Sequence, residues 1–271
     1  MSDAQAEIDR GERFAFGENW RRFLGDLTPA AVASAESALR SAVGLETLAD
    51  KTFLDVGSGS GLSSLAARKL GARVRSFDFD AASVACTRSL RDRHSPDDPS
   101  WVIEQGSVLD RAFLDGLGAF DVVYSWGVLH HTGAMWDAIS NSARLVAPGG
   151  RLLLALYNDQ GLRSRLWGLV KRAYVSGPMG KAVVAPLGVA FFAGLQLVTD
   201  LTHLRNPLVR YRALDPRGMS LLHDWIDWLG GYPFEVARPA EVVSFLAPRG
   251  LRLVRLDETP GLGCNQFLFE R

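Results

Sequence analysis

The chain has 271 residues, 47% of them hydrophobic and 22% charged, a balance that excludes a disordered or fibrous polypeptide and fits one enlarged α/β domain or a domain carrying an insertion. Thirty basic side chains offset thirty acidic ones, so no global field recruits nucleic acid or a membrane. Cys86 and Cys264 form no metal-spaced pair and the N-terminus has no apolar run of a signal sequence, which makes the cytoplasm the expected setting.

The first patterned segment, RFAFGENWRRFL from Arg13, is aromatic and basic and reads as an amphipathic helix packed beside a sheet. From Thr52 to Tyr157 apolar runs alternate with helical patterns. TFLDV, RVRSF, WVIEQ, FDVVYSW and RLLLALY are continuous in apolar character, as buried parallel strands are. SSLAARKLG, AASVACTRSLRDR and AMWDAISNSARLV between them carry the helical period. The pattern predicts an open α/β sheet with helices on both faces and every strand C-terminus on one ligand-binding edge.

The first strand runs into LDVGSGSGLSS. Gly57, Gly59 and Gly61 flank Ser58 in a turn whose backbone is open to a ligand, ahead of a helix N-terminus. The spacing is GxGxG, with Leu62 where a dinucleotide site wants its third glycine one residue later. Asp55 stands just before the turn, where a pyrophosphate has no use for an acid but a ligand bearing an ammonium group does. Asp78 ends the second strand, where a carboxylate accepts from both hydroxyls of a ribose.

These motifs resemble those of the class I S-adenosylmethionine-dependent methyltransferases across residues 52–157: LDVGSGSG the glycine-rich motif, Asp78 the ribose acid, EQGSVLD the adenine-side loop and FDVVYSWGVLHH the fourth strand. The resemblance implies S-adenosylmethionine as cofactor, with the 57–61 turn along its methionine part, Phe79 packed on the adenine, Ser107 and Val108 at its edge, and Ser125 and Trp126 bordering it from the fourth strand. It also implies a Rossmann-like, doubly wound, mostly parallel sheet of seven strands whose last strand is antiparallel. PAEVVSFLAPRG, LRLVRL and NQFLFE supply the closing helix and two strands. One departure is Ser107, where the family often has an acid. Similar enzymes fold an N-terminal segment over the cofactor, a second reading for Phe16, Asn19 and Trp20.

The expected organisation is therefore an N-terminal helical segment (1–50) closing over the cofactor, a binding core (51–158), a helical insertion (159–238), and a C-terminal piece (239–271) that completes the core. The insertion leaves the fifth strand on the ligand edge, so it is expected to roof the site. From Asp159 to Arg217 it holds nine basic and three acidic residues, and Ala182–Thr199 is eighteen residues without a charge, interrupted by Pro186, Gly188, Gly194 and Gln196. Three readings follow: buried helices, a lid for an apolar or anionic acceptor, or a weak membrane-surface contact. HDWIDWLGGYPFE, from His223, is either packed core or pocket wall contributed by Trp225 and Tyr232.

Methyl transfer to oxygen calls for a base, usually histidine. His131 is the first candidate, with His223 its rival, and neither belongs to a metal-ligating spacing. His130, Tyr157, Trp20 and Asn265 are expected on the acceptor side. The leading expectation is O-methylation of a small molecule. The alternatives are methylation of RNA or protein, against which there is no overall basic charge, and cofactor binding without catalysis.

Overall fold

The computed structural model describes residues 3–25, 27–203, 206, 221–261 and 263–271. Its centre is a sheet in the order β3-β2-β1-β4-β5-β7-β6, formed by β1 (Thr52–Val56), β2 (Arg73–Asp78), β3 (Trp101–Gln105), β4 (Phe120–Trp126), β5 (Val146–Tyr157), β6 (Arg252–Asp257) and β7 (Cys264–Glu270). The first five strands pair in parallel, and β7 runs antiparallel to both β5 and β6. This is the seven-stranded α/β arrangement expected.

Both faces of the sheet are covered, which is why its strands read as unbroken apolar runs. Phe53 packs into a cluster with Val32, Leu39 and Leu65, whereas its neighbour Leu54 packs with Ile139, Val242 and Leu246 on the opposite face. The first face is covered by α3 (Pro29–Val43), α4 (Leu62–Lys69) and α5 (Ala81–His94), the second by α7 (Met135–Arg144) and α11 (Pro239–Leu246). Short polar signals set the helix ends: the Thr28 hydroxyl accepts from the amide of Ala31, and the Asp80 carboxylate from that of Ala82. A single-turn helix, α6 (Arg111–Asp115), lies between β3 and β4.

Two helices precede β1 near the ligand edge, α1 (Asp3–Asp9) and α2 (Phe16–Gly25). The insertion contributes α8 (Leu162–Val175), α9 (Pro178–Thr202) and α10 (Leu221–Gly230). Pro186 and the two glycines do not interrupt α9, which runs unbroken through them. At Gly188 α10 packs close: a β-carbon there would lie 2.5 Å from Leu229. Of the three readings of the insertion, buried helices do not hold, since α9 keeps one face against α8 and α10 and turns the other outward.

Candidate functional site

A cavity of about 580 Å³ opens at the C-terminal tips of β1 to β4. Because these strands are neighbours in the order β3-β2-β1-β4, four separate chain segments meet along one elongated slot. Ser107 and Val108 follow β3, Asp78 and Phe79 end β2, Asp55, Gly57, Ser58 and Gly59 end β1, and Trp126, Val128 and His131 follow β4.

The glycine turn works differently from the amide cradle expected. The amides of Gly57 and Ser58 donate to the Phe77 carbonyl, that of Gly59 to Asp78 Oδ2 at 2.9 Å, and that of Gly61 to the Ser58 carbonyl. These four N–H groups are thus spent inside the fold, and the glycines serve by their missing side chains and positive φ. A β-carbon on Gly57 would lie 2.4 Å from Val128, and one on Gly59 would lie 2.9 Å from the Trp20 indole nitrogen. Gly61 stands off the cavity and starts α4.

Asp55 is buried on the cavity wall and is the end of a one-way relay of donors. Trp101 Nε1 donates to the Ser76 hydroxyl (2.9 Å), Ser76 to Ser64 (2.7 Å), and Ser64 to Asp55 Oδ2 (2.5 Å). Each hydroxyl accepts from behind and donates ahead, which polarises the chain toward the carboxylate. Burial nonetheless pushes the Asp55 carboxyl up to about 7, with the Ser64 hydroxyl opposing the rise and the neighbouring Asp78 charge adding to it. Both groups that oppose the rise, the hydroxyl and the amide of Ser64, are uncharged. A buried carboxylate held only by uncharged donors suits a ligand that brings a cation.

Asp78 is raised to about 6, chiefly by burial, against the pull of two backbone amides, Gly59 and Asp80, each donating to one carboxylate oxygen at 2.9 Å. Each oxygen keeps acceptor capacity for a hydroxyl. Along the cavity stand a carboxylate suited to an ammonium group (Asp55), one suited to a vicinal diol (Asp78), and Phe79 and Val108, which offer apolar surface to a flat ring. Ser125 is off the wall: its hydroxyl donates to the Val56 carbonyl and ties β4 to β1.

His130 and His131 follow β4 in a 3₁₀ turn that leaves their rings edge to face, with centroids 4.3 Å apart. His131 reaches the cavity, and its Nδ1 lies 2.6 Å from the Pro233 carbonyl. A carbonyl only accepts, so Nδ1 carries the proton and Nε2 keeps the lone pair. Burial, followed by the Lys171 charge, holds this imidazole down to about 3, although the Pro233 carbonyl pulls it upward. His130 faces inward: its Nδ1 accepts from the Tyr157 amide, and burial, then the charges of His131 and Lys171, hold it well below the usual histidine range.

The described part of the insertion supplies none of the cavity wall. Trp225 stacks on Phe192, and Trp228 meets Trp167 edge-on, so the tryptophans form the insertion's own core. Tyr232 packs beside that core, Tyr157 lies behind the histidines against Phe234, and Asn265 is buried with its Oδ1 accepting from the Thr259 amide. Aromatic density at these positions thus reflects packing. The side chain of His223 lies outside the described residues.

The roof comes from the N-terminal segment. Phe14, Phe16 and Trp20 line the cavity, whereas Asn19 is buried beneath them. Sequence reasoning missed Glu7 and Arg13. Arg13 donates to Glu7 at 2.6 Å and to the His131 carbonyl at 2.7 Å, and its guanidinium stands 5.1 Å above the Phe79 ring. One side chain therefore bridges the β2 and β4 ends of the slot. The signal was a lone arginine beside an aromatic run, which gives no hint of partners so distant in sequence.

The family description "Methyltransferase domain" matches residues 54–154. A ubiquinone biosynthesis O-methyltransferase of Burkholderia cenocepacia is 30% identical over 173 residues, which cover 63% of this chain and 72% of that protein. One from Burkholderia multivorans is 26% identical over 197 residues, 72% of this chain and 80% of that protein. Among solved structures, a magnesium protoporphyrin IX methyltransferase from Synechocystis with bound S-adenosylhomocysteine superposes with a TM-score of 0.59 at 16% identity, covering 99% of this chain and all of that one. That last likeness is one of fold.

Proposed function

The chain belongs to the class I S-adenosylmethionine-dependent methyltransferases, and on that premise we propose that it methylates an oxygen of a small, largely apolar acceptor seated between Trp126 and His131. The observation that carries this reading is the His131 tautomer, which leaves an unprotonated Nε2 on a residue of the cavity wall. Bound S-adenosylmethionine supplies a methyl carbon already activated by the sulfonium charge. The residues of the chain have to align a nucleophile with it and exclude water.

His131 Nε2 accepts the hydrogen bond of the acceptor hydroxyl and so aims an oxygen lone pair along the slot. An imidazole held near 3 is a weak base toward a free hydroxyl, so its contribution is chiefly alignment; as the carbon–oxygen bond forms and the carbon–sulfur bond breaks, the oxygen becomes acidic and gives its proton to Nε2. Asp55 holds the ammonium end and Asp78 the ribose, with Phe79, Ser107 and Val108 at the ring. Phe14, Phe16, Trp20, Trp126 and Val128 supply an apolar wall for the acceptor. In this reading residues 51–158 and 239–271 form the binding core, 1–50 close over it, and 159–238 brace His131 from behind. The relatives named as O-methyltransferases support oxygen as the nucleophile.

Incubation with methyl-labelled S-adenosylmethionine and a cell extract, followed by separation of lipid, small polar, protein and nucleic-acid fractions, tests the proposal. Label in a small molecule as an ether or ester is the expected result. Label in protein or RNA, or on nitrogen, overturns it.

A further inference from the structure

Among the described residues, eleven of the fourteen exposed large hydrophobic side chains fall between Leu162 and Leu201, on α8 and α9. On α9, Met179, Val183, Leu187, Phe191, Leu195, Val198 and Leu201 recur at helical spacing and make one outward stripe; Met179 is 80% and Leu187 66% exposed. On α8, Leu162, Leu166 and Leu169 make a second stripe, Leu162 being 74% exposed. An apolar surface this continuous is costly in water and marks a contact.

The charges beside the stripes narrow the choice of partner. Arg163, Arg165, Arg172 and Lys181 are exposed, whereas from Gln160 to Thr202 the only acid is Asp200, which is buried. A second copy docked by the same face would bring four like charges against four others, with no exposed acid between Gln160 and Thr202 to meet them. An anionic lipid surface satisfies leucines and arginines together. By length and composition α9 is apolar enough to cross a membrane. Its inner flank is nevertheless fastened to the protein: Val184, Ala185 and Phe192 join the cluster of Phe14, Tyr174 and Leu229. A helix held along one side lies on a bilayer and does not span it.

We propose that the α8–α9 hairpin is a docking face for anionic membranes, with the outward side chains of α9 entering the acyl boundary and the four cations engaging headgroups. The inference rests on this exposed face alone and stands or falls apart from the proposed acceptor.

The test is sedimentation of the full chain with vesicles of phosphatidylcholine alone and of equal parts phosphatidylcholine and phosphatidylglycerol. The expected result is binding to the mixed vesicles that weakens on the neutral ones and at raised salt. Each of Arg165→Gln and Arg172→Gln should weaken partition by about fivefold, the equivalent of ~1 kcal/mol per cation. The double variant Leu187→Glu/Phe191→Glu should stay in the supernatant while its circular dichroism and S-adenosylmethionine affinity are unchanged. The proposal is overturned if the unaltered chain ignores both vesicles, whether it is a monomer or a dimer that the double variant splits. Equal binding to both vesicles, or binding that the double variant retains, overturns it as well.

Discussion

The imidazole of His131 is held by the carbonyl of Pro233, 102 residues further along the chain, through a hydrogen bond of 2.6 Å from Nδ1. Two neighbouring contacts complete the clamp: the Glu235 amide donates to the His130 carbonyl, and the Glu235 carboxylate accepts from the Met135 amide. The end of the insertion thus sets the orientation of a residue on the cavity wall without touching the cavity itself.

His131→Ala is expected to lower kcat by about a hundredfold, toward the lower end of what a positioned proton acceptor contributes. Calorimetry should find S-adenosylmethionine affinity within about twofold of the parent, since no cofactor group depends on this ring. Because the ring titrates at about 3, it is neutral throughout the working range. The pH profile of kcat/KM should therefore show no ascending limb near the ordinary histidine value, and such a limb that vanishes in His131→Ala would contradict the assignment.

Asp55 makes the opposite pH demand. Its folded pKa of about 7 lies above the ordinary 3.8, so its contribution to the stability of the free protein is fully present below 3.8 and is lost as pH rises through 7. Asp55→Asn removes that loss and should stabilise the cofactor-free chain at pH 8 by on the order of 2–4 kcal/mol in urea unfolding, with little gain at pH 4. The same variant should bind S-adenosylmethionine poorly. In the parent, affinity should rise between pH 5 and 8 as the carboxyl ionises.

Asp78→Asn keeps the side chain's shape but gives up the charge that the proposed function sets against the ribose hydroxyls. Loss of charge-assisted hydrogen bonds of ~1.5–3 kcal/mol predicts a 10- to 100-fold rise in Kd for S-adenosylmethionine, roughly 1.4 kcal/mol per tenfold. Unchanged affinity in titration calorimetry would remove the ribose role.

Arg13→Ala should open the slot at both ends, because one guanidinium reaches Glu7, the Phe79 ring and the His131 carbonyl. A decrease in cofactor affinity of about tenfold is expected, seen as faster dissociation in stopped-flow fluorescence. Arg13→Lys should recover only part of it, since an ammonium cannot reproduce the fork.

The part of the cavity lined by the ends of β1 and β2 was readable because it is local: strand, glycine turn, helix and acid follow each other within a single βαβ unit, and period and turn chemistry announce each. The strand pattern held for the same reason, with one informative exception. AMWDAISNSARLV reads as helical to its end, yet the helix stops at Arg144 and Val146 pairs with Phe120 at the start of β5. Leu145 and Val146 continue the apolar period but are buried against the sheet, and periodicity does not distinguish those two environments.

The acceptor side was far less legible. Two adjacent histidines have identical sequence context, and only the 3₁₀ turn decides that one faces the cavity and the other the interior. Trp225 and Tyr232 look like a binding wall by composition, whereas they are core because α8 and α9 bring Trp167 and Phe192 against that segment. Arg13 owes its position to partners on β2 and β4, a tertiary fact that no short window contains.

Lys171, wholly buried, donates to the Trp228 carbonyl and lies over the rings of Trp228, Phe234 and Tyr157, so the insertion is pinned to the sheet at its base. There its entrance and exit also meet: Asn158 bridges Ala237, whose amide donates to the Tyr157 carbonyl at 3.0 Å. A segment whose two ends are stitched to adjacent residues behaves like a cartridge in a socket. It can be lengthened, shortened or exchanged between homologues while every strand keeps its register, at an entropic cost that grows only slowly with its length. Evolution can thus retarget the surroundings of the histidine without renegotiating the cofactor.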